Sequence, residues 1–100
     1  MHFDVDTIYS IKLVTGEEIV AKVIGQSDTV LEITKPLTIG VGPQGLQMVP
    51  SLFGGNPDRK IQLNKGSVVM VTSARDELVS SYIEGTTGIK PVTKGSILMG

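Results

Sequence analysis

Apolar and polar residues alternate from Ile8 onward, with Tyr9, Ile11 and Leu13 on one side and Ile8, Ser10, Lys12 and Val14 on the other. A period of two places successive side chains on opposite faces of an extended chain, so this run is a strand. The alternation returns after Thr15-Gly16-Glu17-Glu18, where Ile19, Ala21 and Val23 oppose Val20, Lys22 and Ile24. The two runs read as a hairpin. Side-chain chemistry agrees with the period, since 22 residues are Val or Ile, nine are Thr and only two are Ala. β-Branched side chains suit a pleated surface and lose rotamer freedom in a helix.

Further strands follow. Gly25-Gln26-Ser27-Asp28 is a polar turn, and Val30 to Ile39 a third strand with Leu31 and Ile33 on one face and Glu32 on the other. Pro36 has no N–H for a ladder, which assigns it to a bulge or an edge. Residues 40–60 read as a long Gly- and Pro-rich loop containing GVGPQG and GGNP, with room for its own hairpin through Leu46, Met48 and Val49. Ile61 to Leu63, the turn Asn64-Lys65-Gly66-Ser67 and a doubly buried Val68 to Val71 complete the strands. Ser73 and Asp76 resemble a capping box. Ala74, Leu78, Val79, Tyr82 and Ile83 share one helical face and Gly85 stands as terminator, which predicts a helix over 73–84. One domain over 1–85 and a tail over 86–100 result, within a length that allows a single small core.

Composition removes several function classes. The chain has no Cys, and its one His is His2, so thiolate chemistry, Cys zinc sites and a Ser-His pair lack their residues. Asp4 with Asp6 and Glu17 with Glu18 are carboxylate pairs at a chain start and in a turn, where solvated charge is the simpler reading. GVGPQG lacks the strand-to-helix setting of a phosphate loop, and Pro43 removes a backbone donor. Phe3, Tyr9, Phe53 and Tyr82 are too scattered for a base-stacking platform; Tyr9 and Tyr82 are expected between helix and sheet, and Phe53 in the loop is a candidate for exposure, with an anchor in an oligomer contact and a ligand contact as equal readings. A net charge of −1 gives no long-range pull on phosphates. No run approaches the roughly 20 apolar residues that cross a bilayer, and MHFDVD lacks a secretory layout. We expect no enzyme activity, cofactor, metal or membrane partner, and a cytoplasmic location.

Five short strands in two clusters, with Gly16 in the first hairpin turn and Lys65-Gly66 between the last two strands, resemble the Sm and Sm-like family over residues 8–72. IKLVTGEEIVAKVIGQSDTVLEI is similar to the first family signature through Gly16, Asp28 and its apolar positions, and LNKGSVVMV is similar to the second through Lys65 and Gly66. Small phage-encoded Sm-like proteins, with an apolar Gly/Pro loop and a terminal helix, look closest. The resemblance implies a mainly β fold, a small, strongly bent five-stranded SH3-type barrel with one C-terminal helix. It also implies a homo-oligomeric ring in which Ile61, Gln62 and Leu63 pair with Val68, Val69, Met70 and Val71 of the next copy.

The implied partner is single-stranded RNA, held by Ser27, Asp28, Thr29, Val30 and Glu32 from one turn and Asn64, Lys65 and Gly66 from the other. In one register Glu32 stands at the family's Asn position, and in the register one residue earlier Leu31 does. Thr29 or Val30 takes the stacking position, and Lys65 stands for the family's Arg. An RNA chaperone or processing factor is implied, in the host cytoplasm if phage-encoded; a ring-shaped scaffold without nucleic acid is the alternative.

Overall fold

A computed structural model describes residues 2–56 and 58–87. It has six strands, β1 Thr7–Leu13, β2 Glu18–Gln26, β3 Val30–Gly42, β4 Gly45–Pro50, β5 Ile61–Asn64 and β6 Val68–Ser73, followed by helix α1, Asp76–Thr87. One 3-10 turn, Lys65–Ser67, joins β5 to β6. All pairings are antiparallel, in the order β4-β3-β2-β1-β6, with β5 paired to the first part of β3. The first hairpin closes as the sequence predicts, with Gly16 at φ 91, a left-handed conformation costly for a side chain.

Besides β2, β3 serves two partners. Val30–Ile33 pair with β5 and Leu37–Gly42 with β4. Between the pairs Lys22↔Thr34 and Val20↔Leu37, β3 uses one residue more than β2, so Lys35-Pro36 is a bulge. The expectation for Pro36 holds. An extra residue reverses which face later side chains take: Leu31 and Ile33 enter one cluster, whereas Leu37 and Ile39 enter another.

The first cluster holds Phe3, Ile11, Ile19, Ala21, Val23, Leu31 and Ile33, with Tyr9, Leu13, Ile61, Leu63, Val68 and Val71 packed against it. Only three residues separate β5, bonded to β3, from β6, bonded to β1, so the sheet curls around this cluster. It does not close: no ladder joins β5 to β6. The second cluster lies on the opposite face, where Val20, Leu37 and Met48 meet Leu78 and Tyr82 of α1.

Several expectations need correction. The sheet has six strands rather than five, and a closed barrel is absent. Within 40–60, β3 continues to Gly42 and β4 returns from Gly45, because Pro43 suits a turn and Gly45 adopts φ 105. The anticipated hairpin through Leu46, Met48 and Val49 is therefore this strand pair.

The helix runs over 76–87 instead of 73–84. Ser73 is the last ladder residue, paired with Tyr9, and the Ala74 N–H still donates to Ile8 O at 3.0 Å. The helical bonds begin at Arg75 O, which accepts from the Leu78 and Val79 N–H groups. Gly85 does not end the helix. Its buried stripe is Leu78, Ser81 and Tyr82, with Ile83 at 36% exposure, so the face is rotated from the one expected. Thr86 and Thr87 of the expected tail belong to the helix, and residues 88–100 lie outside the described residues.

Tyr9 is not under the helix. It meets Phe3 edge to face in the first cluster, with ring centroids 5.1 Å apart. Val68 to Val71 is not buried throughout: Val69 is 54% and Met70 62% exposed. β6 uses two residues, Val68 to Met70, where β1 uses one, Leu13 to Lys12, so Val69 is the residue bulged out of the ladder.

Candidate functional site

The β2–β3 turn is built by Ser27. Its N–H donates to Val30 O at 2.8 Å, and its Oγ accepts from the Val30 N–H at 3.2 Å, a local bond that hydroxyl side chains favour in turns. The second turn is the 3-10 turn after β5. The Lys65 N–H donates to Thr29 O at 2.8 Å and Asn64 pairs with Val30, which fastens one turn to the other. Ser67 O accepts from the Val14 N–H at 2.8 Å, tying the far end of this turn to the first hairpin.

Residues 37 positions apart in sequence, Asp28 and Lys65, thus belong to one surface feature. Ser27, Asp28, Thr29, Asn64 and Gly66 are exposed there, and Val30 and Lys65 are half-buried. Glu32 is different. It sits two residues into β3, opposite Gln62, and its carboxylate is engaged by Lys60 Nζ at 3.2 Å. It lies so close over β2 that a Cβ on Gly25 would stand 2.6 Å from its Oε1. No hydrogen bond among the described residues joins Glu32 to either turn.

Gln26, the last residue of β2, is a site residue that the sequence reading passed over. Its Oε1 accepts from the Phe3 N–H at 3.2 Å and from Lys65 Nζ at 3.0 Å, and its Nε2 donates to Phe3 O. The Phe3 ring is buried, with its centroid 6.0 Å from Lys65 Nζ. The Asp4 N–H donates to the Tyr9 hydroxyl at 2.8 Å, which fixes the following residue as well. The N-terminal segment is therefore strapped beneath the two turns. Nothing in the residue types 3, 26 and 65 forecasts this juxtaposition, because it depends on where the chain start is laid.

The expected subunit-contact residues divide in two. Ile61, Leu63, Val68 and Val71 pack inward against the first cluster, whereas Gln62, Val69 and Met70 are exposed. Among the described residues β5 has a ladder only with β3, and β6 only with β1. Each leaves a row of backbone N–H and C=O groups unpaired within the sheet, on either side of the Lys65 turn. Leu52 and Phe53 are exposed at 53% and 84%.

A cavity of about 320 Å³ lies elsewhere, between the segment after β4 and the end of α1, with Pro36, Leu37, Pro50, Leu52 and Ile61 among its lining residues. Lys35 at its wall donates to Thr86 O at 3.1 Å and so serves the helix end. Among the described residues no group of three or more His, Asp or Glu side chains has the geometry to hold a metal ion. No helix of the described residues is long and apolar enough to cross a membrane.

No protein-family model matches this chain, and no curated protein matches it either.

Proposed function

We propose that this chain is an Sm-like subunit that assembles into a homo-oligomeric ring and binds single-stranded RNA at the paired turns. One observation carries the reading: the turn holding Asp28 and the turn holding Lys65 and Gly66 are fastened to each other by the Lys65 N–H to Thr29 O bond. These are the turns that carry the two signature-like stretches. The resemblance supports RNA as the ligand, and the unpaired edges of β5 and β6 support assembly, since β5 of one copy adding to β6 of the next satisfies both. Such a heterologous contact repeated around an axis closes the sheet between copies, where each copy alone leaves it open. The chain acts in this reading as a binding platform and not as a catalyst.

A ring-shaped scaffold that ignores nucleic acid is the second reading, and Glu32 favours it. A carboxylate near the turns and a net charge of −1 both oppose phosphates. Binding of short fluorescein-labelled RNAs, followed by anisotropy across a salt series, separates the two. RNA binding at the turns requires that Lys65→Glu lower affinity about tenfold or more and flatten the salt slope by about one counterion per contact. Unchanged affinity in Lys65→Glu moves any RNA elsewhere, and no binding by the parent protein leaves the scaffold.

A further inference from the structure

We infer that Gln26 is the positioning residue of the Lys65 site, and that the N-terminal strap around Phe3 is the brace that holds it in place. The inference rests on the RNA-binding reading for its consequence, but its geometry stands separately. Lysine carries a flexible four-carbon stem, so an ammonium left to itself samples many directions. Gln26 Oε1 accepts from Nζ at 3.0 Å and the Phe3 ring lies 6.0 Å from it by its centroid, and both contacts restrict it. Gln26 is in turn restricted from both ends of its amide. Phe3 donates to its oxygen and accepts from its nitrogen, which fixes the amide's orientation and directs the oxygen at Lys65.

Phe3 itself cannot drift, being 1% exposed within the first cluster and set edge to face on Tyr9. A chain of rigid contacts thus runs from the core through Phe3 and Gln26 to the ammonium. An ammonium held in place loses less entropy when a phosphate or base oxygen arrives, which raises affinity without a new contact.

A double-mutant cycle tests this, with anisotropy of the same labelled RNAs as one readout and the ¹³Cε order parameter of Lys65 as the other. Gln26→Leu is expected to lower RNA affinity about tenfold in the parent background and less than about twofold in Lys65→Ala, because its effect passes through Lys65. The Lys65 ¹³Cε order parameter falls in Gln26→Leu. Phe3→Leu keeps bulk and the backbone clasp but removes the ring, and gives a smaller loss of about threefold; it serves where Gln26→Leu fails to fold.

Equal losses in both backgrounds mean that Gln26 acts through general structure, and that overturns the inference. An unchanged order parameter overturns it too, whatever the RNA does. If the parent protein binds no RNA while the order parameter still falls, the RNA-binding reading fails and the positioning of Lys65 by Gln26 stands.

Discussion

Tyr82 shows how a single hydroxyl can repair an interrupted sheet. Its O–H donates to Thr34 O at 2.7 Å and accepts from the Lys22 N–H at 3.3 Å, the two backbone groups beside the Lys35-Pro36 bulge where the β2–β3 ladder slips. Burial pushes its phenol above the usual tyrosine value of about 10, opposed by the Thr34 side chain and by the Lys22 backbone N–H. Tyr82→Phe keeps the ring and strands both backbone groups, so we expect a loss of about 1–3 kcal/mol in urea unfolding at neutral pH. An unchanged midpoint would show that the hydroxyl contributes nothing. The pH dependence has a definite sign. A group whose pKa is raised by folding contributes stability that is whole below about pH 10 and is lost as pH climbs through the folded value. The parent protein should therefore lose stability above about pH 10 with a slope that Tyr82→Phe lacks in part, provided both are measured in the same titration of unfolding midpoints.

At the scale of elements, the bulge in β3 organises the fold. By adding one residue it turns Leu37 and Ile39 to the helix side, hands β3 from β5 to β4, and places Lys35 where its ammonium meets the carbonyl end of α1. That position has φ 45, which a side chain adopts at a cost. Lys35→Ala and Lys35→Gly both remove the helix contact, so their difference isolates the backbone term. We expect Lys35→Gly to be more stable than Lys35→Ala by about 1 kcal/mol, and the reverse order would deny the strain. Much of this level was legible. The alternation of β1 and β2, the bulge at Pro36 and the turn at Lys65-Gly66 follow from periods and turn residues that act locally. Where local signals competed with long-range pairing, the pairing prevailed. Ser73 looks like a helix cap, but its partner Tyr9 holds it in β6. GVGPQG looks like a loop, but Ile39 and Val41 facing Met48 and Leu46 make a ladder across it. The Gln26, Phe3 and Lys65 constellation was illegible, since its members are joined only by the path of the chain start.

At the scale of the whole molecule, the unclosed sheet is the feature with the largest consequence. β6 ends the strand path and β5 branches off it at β3, yet the two are one turn apart in sequence, each with an edge outside any ladder of the described residues, and Val69 and Met70 stand exposed on β6. An exposed apolar edge strand is a template for pairing with another chain, and pairing β5 to β6 between copies makes a ring that sets all the Lys65 turns around one axis. In the proposed ring, the rotation between copies would set the number of subunits. Native mass spectrometry of protein purified at low salt without nuclease addresses assembly and ligand in one spectrum. The proposed ring requires a single closed oligomer carrying extra mass that ribonuclease removes. A monomer at micromolar concentration would contradict it.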